Sequence, residues 1–237
     1  MRILTELGII LFSALICALF QLSLGTLLLL YHSSLGRFVR KKTKSLASSF
    51  ISGVCLMNFL LLATNCFLSL ALLEGVAENL IYSVSVGILF ALALIILFIY
   101  FRSGKSARDS TELWLPKPIS RFIDSRAKTT NNNSEAFSLG LLTSLGEFPF
   151  SFILFFLAGS EIVKLPSGYE ILALSFFTII SVLPLIILRF VIRKGKNAVE
   201  IQRFRVKNKL FFKFLAGFCF IIFSAFILTF KLLGVGL

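Results

Sequence analysis

The chain has 237 residues, of which 57% are hydrophobic and only 15% charged, and its mean hydropathy is +0.95. About a quarter of the residues of a soluble domain are charged, so this composition excludes an ordinary soluble protein and predicts an all-α integral membrane protein. In a soluble protein the net charge of +13 would suggest a nucleic-acid partner. In a membrane protein basic cytoplasmic loops explain such a charge, and we expect the lipid bilayer, not nucleic acid, as the partner.

Six segments are long and apolar enough to cross a bilayer, which takes about 20 residues of helix. We predict transmembrane helices over residues 4–31, 46–73, 79–101, 136–162, 169–192 and 209–233.

The connections between these segments alternate in charge. The first, third and fifth hold 21 of the 24 Lys and Arg residues, whereas the short second and fourth are mostly acidic, with Glu74, Glu78, Glu161 and Glu170. Basic residues accumulate in cytoplasmic loops. We therefore predict cytoplasmic odd connections, both termini outside, and a location in the plasma (inner) membrane.

The third connection holds a further pattern, "WLPKPISRFIDSRAK" from Trp114. Ile119, Phe122 and Ile123 have helical spacing, which predicts a short interfacial helix on the inner leaflet with Trp114 at the headgroups. The basic loops would bind anionic lipid or a protein partner.

The two halves of the chain resemble each other. "ALFQLSL" from Ala18 aligns with "SLGEFPF" from Ser144, an offset that places Gln21 on Glu147, and "VGILFALALIILFIYF" from Val86 aligns with "AGFCFIIFSAFILTFK" from Ala216. We predict two three-helix repeats, residues 1–101 and 136–237, joined by a basic linker at 102–135. Because three helices per repeat is an odd number, the repeats would have inverted orientation, a plan common among transporters. Chance similarity between apolar helices is the alternative.

Glu147 is interpreted as the only acidic residue well inside a predicted span. A charge at mid-bilayer costs about 2.5–3.5 kcal/mol or more, so such residues usually face the bundle interior or a water-filled cavity. Glu147 would bind a cation or an amine, carry a proton, or be a neutral acid bonded for structure.

The same segment predicts a bent or broken helix. The first and fourth spans are each about 40 Å long against a hydrocarbon core of about 30 Å. Pro149 removes a backbone donor and clashes with the preceding turn. We predict that the first and fourth helices are kinked or broken, with Pro149, Gly146 and Gly140 as the hinge.

Gln21 is expected to face Glu147 across the pseudo-two-fold axis, as a substrate ligand or as an ordinary interhelical hydrogen-bond partner. Asn58 and Asn65 would line a cavity or join helices. Ser13, Ser23, Thr143 and Ser144 are weaker candidates. The candidate substrate site is Glu147, Gln21, Asn58, Ser23 and Thr143.

The sequence lacks the motifs that metal binding, haem binding or catalysis would need. The four cysteines form no CxxC or CxxH pair, and His32 is the only histidine, so no zinc or haem motif is present. No Ser/His/Asp or Cys/His set is evident. We expect no enzyme activity, no cofactor and no metal.

"AFSLGLLTSLGEFPF" resembles a segment of the cytochrome c biogenesis protein CcdA and of the transmembrane domain of the thiol-disulfide carrier DsbD. These are grouped with the lysine exporters (LysE) in a superfamily of six-helix, inverted-repeat membrane proteins. The matching residues are Phe137, Gly140, Leu141, Leu142, Gly146 and Pro149. In CcdA-like proteins a redox cysteine, paired with one in the first span, follows the proline, and here Phe150 occupies that position.

The resemblance and the repeat together favour a secondary transporter or exporter of a small solute or cation, with proton involvement. It would work by alternating access, with Glu147 as ligand or proton carrier. A membrane subunit or assembly factor without transport activity is the first alternative, and a divergent CcdA-like thiol-disulfide electron carrier the second.

Overall fold

The computed structural model describes residues 2–23, 40–102, 122–123, 125–127, 129–130, 132–193 and 208–234. Within them the chain forms six long α-helices, and the last continues into a π-helical turn, Leu228–Leu232. The helices are α1 (Arg2–Ser23), α2 (Arg40–Gly75), α3 (Glu78–Arg102), α4 (Asn133–Ile162), α5 (Tyr169–Arg193) and α6 (Lys209–Ile227).

Each of these six helices contains a stretch long and apolar enough to cross a membrane. The outer surface of the bundle is apolar as well, since large side chains such as Leu4, Phe67 and Ile171 are at least 71% exposed. The prediction of an all-α fold with six helices long and apolar enough to span a membrane is confirmed for the described residues. Residues 24–31, the end of the predicted first span, lie outside the described residues.

Successive helices run in opposite directions. The connections between α2 and α3 and between α4 and α5 are short, and Gly168, in the second of them, has a positive φ of 100° that a side chain would disfavour. Leu4 at the start of α1 lines a groove with Pro166, and Lys231 in the π-helical turn binds Glu161. Both ends of the described chain therefore lie with these connections, at what we call the short-loop end.

Helix α4 is the central element and packs against α2 along much of its length. Glycines permit the close approach. A Cβ atom on Gly140 would lie 2.3 Å from the Phe50 carbonyl oxygen, and one on Gly53 would lie 2.2 Å from that of Phe137. Small residues are typical of such helix interfaces in membranes. The structure thus gives Gly140 a packing role, and its role as a hinge stays a prediction.

The predicted break at Pro149 is not seen, because α4 is helical from Asn133 to Ile162 with Pro149 inside it. Membrane helices tolerate an internal proline because neighbouring groups and local adjustments satisfy the freed carbonyl. Pro149 is exposed on the outward stripe that includes Leu145 and Phe152. Helix α1 is also continuous from Arg2 to Ser23, and a kink in either helix stays a prediction.

A short helical stretch precedes α4, at 122–123, 125–127 and 129. Ile123 and Ala127 are buried, whereas Phe122 and Arg126 are exposed, with the Arg126 guanidinium 5.7 Å from the centre of the Phe122 ring. The described part of the predicted linker helix is therefore amphipathic. Trp114 and Ile119 lie outside the described residues.

Candidate functional site

Helices α1 and α4 meet at a buried hydrogen bond. Gln21 Nε2 donates to Glu147 Oε2 over 3.0 Å, and each of the two residues is only 4% exposed. Glu147 lies midway along the 30-residue α4, which places the contact near the centre of a spanning helix. The structure brings these two residues together, as the alignment of the halves placed them.

Asn58 of α2 forms hydrogen bonds to α4 and α5 at the same depth in the bundle. Its Nδ2 donates to Ser181 Oγ of α5 over 3.1 Å, and its Oδ1 accepts from Ser144 Oγ of α4 over 2.9 Å. Ser144 lies one helical turn before Glu147, so both hydrogen-bonding groups project from one face of α4. All three residues are nearly inaccessible. We call the five residues Gln21, Asn58, Ser144, Glu147 and Ser181 the polar centre.

The other predicted site residues take no part in the hydrogen bonds described for the polar centre. Thr143 is fully buried, but its hydroxyl donates to the Leu139 carbonyl of its own helix over 2.6 Å. Asn65 is buried two turns beyond Asn58 and donates to Leu61 O over 2.7 Å. The Ser23 side chain lies outside the described residues.

The amide oxygen of Gln21 forms no hydrogen bond within the described part of the polar centre. Gln21 Oε1 is buried and has no hydrogen-bond partner among the described residues. A buried polar atom without a partner costs about 1–3 kcal/mol. A ligand that donates a hydrogen bond to this oxygen would remove that cost.

A second polar group, at the short-loop end, was not predicted from the sequence. Glu161, at 0% exposure, receives a hydrogen bond from Lys231 Nζ over 2.9 Å at Oε2 and another from the Tyr82 hydroxyl at Oε1. Lys164 Nζ pairs with Glu78 Oε1 over 2.5 Å and also donates to the Tyr82 hydroxyl. We call Glu78, Tyr82, Glu161, Lys164 and Lys231 the ionic cluster.

Glu147 is not the only buried acidic residue of the described helices, because Glu161 and Glu6, at 0% and 3% exposure, are buried too. Both lie near the ends of predicted spans, so the interpretation of Glu147 as the only acidic residue well inside a span stays a prediction. A signal was present in the sequence, since Glu161 and Lys231 fall inside their predicted spans near the same end and have opposite charges.

Local backbone geometry helps to position Lys231. It lies in the π-helical turn Leu228–Leu232 that follows α6. A π-turn bonds each residue to the fifth one along and is frequent at functional sites. Lys231 Nζ and Lys164 Nζ lie 5.2 Å and 4.8 Å from the centre of the Tyr82 ring, within the distance at which cation–π attraction acts.

Two grooves in the described part of the bundle lie away from the polar centre. One of about 1070 Å³ runs between α1 and α5 and is lined by residues such as Leu7, Leu165 and Phe176. The other, of about 480 Å³, lies between α2 and α5 beside Cys55 and Thr178. Their lining is largely apolar, which suits contact with lipid.

Within the described residues, no three His, Cys, Asp or Glu side chains come together as metal ligands, and all four cysteines are free thiols. The described chemistry is thus that of buried amides, hydroxyls and carboxylates. No family model, curated protein or solved structure matches this chain.

Proposed function

We propose that the protein is a secondary membrane transporter that moves a small solute or cation by alternating access around the polar centre. The observation that carries the proposal is the buried hydrogen bond between Gln21 and Glu147, midway along α4. An acidic residue at that depth is costly and usually belongs to a substrate or ion pathway. Glu147 would be the charged ligand or proton carrier and Gln21 its polar counterpart.

The packing of the helices supports two repeats. If α1, α2 and α3 are exchanged with α4, α5 and α6, the α1–α4, α2–α5 and α3–α6 contacts map onto themselves, and the α2–α4 contact maps onto the α1–α5 contact. Gln21 and Glu147 occupy equivalent positions in the two halves, so their bond would lie on the pseudo-two-fold axis. Transporters built from inverted repeats place their binding sites at such an interface.

The ionic cluster supports a conformation in which the polar centre is closed off from the short-loop end. It ties together α3, α4, the α4–α5 connection and the π-helical turn through Tyr82, Glu161, Lys164 and Lys231. For the polar centre to open toward this end, the bond between Lys231 and Glu161 would have to separate. The basic linker at 102–135 belongs to the opposite end, so by the charge rule the short-loop end would face outside the plasma membrane, and the basic loops, inside it, would meet anionic lipid or a partner.

A membrane subunit or assembly factor without transport activity is the second candidate. Two observations favour it. The polar groups of Asn58, Ser144 and Ser181 form hydrogen bonds to one another, and neither described groove is lined by a residue of the polar centre. In that case Glu147 would be a neutral acid that joins helices. Thiol-disulfide transfer is favoured least, since Phe150 replaces the expected cysteine and Cys17 is a buried free thiol.

Currents on a solid-supported membrane test the proposal. Proteoliposomes with the wild-type protein would be exposed to jumps of pH, Na⁺, K⁺, basic amino acids and polyamines. We expect at least one jump to produce a transient current that Glu147→Gln abolishes while the exposed control Glu170→Gln retains it. No current for any jump, or equal currents with Glu147→Gln in a folded protein, would contradict transport through this site.

A further inference from the structure

Only one of the two polar atoms of the Gln21 amide forms a hydrogen bond with a described residue. Its Nε2 donates to Glu147 Oε2, while its Oε1, in the same amide and equally buried, accepts no hydrogen bond within the described part of the chain. The unused group is an acceptor, so a species that completes the site must bring a hydrogen-bond donor or a positive charge.

A metal cation does not fit the arrangement. Hard cations bind several oxygen atoms at once, but Gln21 presents an N–H group to the carboxylate and not its oxygen. The nearby Asn58 Oδ1 already accepts from Ser144. A cation seated beside Glu147 could take Gln21 Oε1 as a ligand, but it would gain the Asn58 amide oxygen only by displacing the hydrogen bond from Ser144.

A proton on Glu147 completes the arrangement directly. A neutral carboxyl group has one O–H donor and keeps an acceptor oxygen. Its carbonyl oxygen would continue to accept from Gln21 Nε2, while its hydroxyl would donate to Gln21 Oε1. Two parallel hydrogen bonds would then join the same two groups, and the buried acceptor would be satisfied. The step is a simple protonation, in which the carboxylate gains a proton and loses its negative charge.

The surrounding helices supply few other groups that titrate. Residues 7–23 of α1, 45–72 of α2 and 171–188 of α5 contain no Asp, Glu, Lys, Arg or His, and α4 has none between Glu135 and Glu161 apart from Glu147. Cys17 of α1 lies one helical turn before Gln21, and its thiol is buried. Tyr82 of α3 and Lys231 after α6 are bonded to Glu161, about 21 Å from Glu147 for 14 residues of helix.

We infer that the ligand of the Gln21–Glu147 pair is a proton, held in a cyclic acid–amide hydrogen bond. For its role in coupled transport this inference rests on the proposed function, but the protonation itself does not. Glu147 would release the proton when the polar centre opens to an aqueous side of higher pH.

Infrared difference spectroscopy of the protein in lipid nanodiscs tests the inference. A protonated carboxyl group has a carbonyl stretching band that its carboxylate lacks. As pH rises, we expect the wild-type protein to lose one such band, which Glu147→Gln removes and Glu161→Gln preserves. In Gln21→Leu the band should move to higher frequency because the acid has lost its partner. Glu161→Gln is the matched control, since it changes the other strongly buried carboxylate of the same helix.

Three results would overturn the inference. These are the absence of any Glu147-dependent band, a band that stays constant over the whole pH range in which the protein is folded, and a band that added Na⁺ or K⁺ removes at fixed pH. The last would assign the site to a metal cation. A titrating band in a protein that gives no currents would contradict the transporter proposal alone.

Discussion

Lys231 Nζ lies 2.9 Å from Glu161 Oε2, and this carboxylate has no exposed surface while the lysine side chain is 12% exposed. Glu161 stands near the end of α4, and Lys231 lies in the π-helical turn that follows α6. Together with Tyr82 and Lys164 they link α3, α4 and the π-helical turn at the short-loop end of the bundle.

Removing the cation of this pair should destabilise the protein strongly. Lys231→Met would leave the Glu161 charge buried without its lysine, which costs about 3–5 kcal/mol in comparable pairs. Thermal unfolding in detergent measures the effect. Glu78→Gln is the control, because Glu78 is 45% exposed and surface pairs contribute about 0–1 kcal/mol. Equal melting temperatures for the two variants would contradict a buried ion pair at Glu161.

The tight contact between α2 and α4 should not admit a methyl group. Gly140→Ala would place its Cβ 2.3 Å from the Phe50 carbonyl oxygen, so the helices would have to separate, at a cost of about 1–3 kcal/mol. Gly87→Ala is the matched control, because a Cβ there would meet no atom of a neighbouring described residue within 4 Å. Chemical or thermal unfolding should rank Gly140→Ala well below Gly87→Ala. Equal stability of the two variants would show that α2 and α4 do not pack this closely.

The Asn58 side chain should contribute modestly to the free energy of unfolding. Asn58→Leu removes two interhelical hydrogen bonds, to Ser144 and Ser181. Such bonds in membranes average about 0.6 kcal/mol each, so we expect a loss of about 1 kcal/mol in unfolding free energy. Thr64→Val on the same helix is the comparison, since the Thr64 hydroxyl is exposed and bonds its own helix at Leu60 O. An Asn58→Leu protein as stable as Thr64→Val would show that these bonds contribute nothing.

The sequence predicted the Gln21–Glu147 contact but not the partners of Asn58. The alignment of the two halves places Gln21 on Glu147, and equivalent residues close to a two-fold axis would meet there. The partners of Asn58 come from α4 and α5, so they depend on helix rotations that hydropathy does not encode. The packing role of Gly140 is of the same kind, because the atom it meets belongs to Phe50 on another helix.

The charge pattern of the sequence did not predict the burial of Glu161. By its position in the sequence it counts as an acidic residue of a short loop, and its charge served to assign topology. In the folded chain it is the last-but-one residue of α4 and is covered by Tyr82 and Lys231. Burial at the end of a span depends on which neighbouring helices reach that level, and the sequence of one helix does not contain that information.

Accessibility of the polar centre from both sides of the membrane tests the central claim most directly. In a background without Cys17, Cys55, Cys66 and Cys219, Ser144→Cys would place a thiol in the polar centre and leave Gln21 and Glu147 intact. Ala158→Cys, on the same helix in the fully buried apolar core, is the control. Labelling uses a membrane-impermeant methanethiosulfonate reagent on intact spheroplasts and on inverted vesicles. Alternating access predicts that Ser144→Cys reacts from both sides and Ala158→Cys from neither, whereas protection of Ser144→Cys from either side would contradict it.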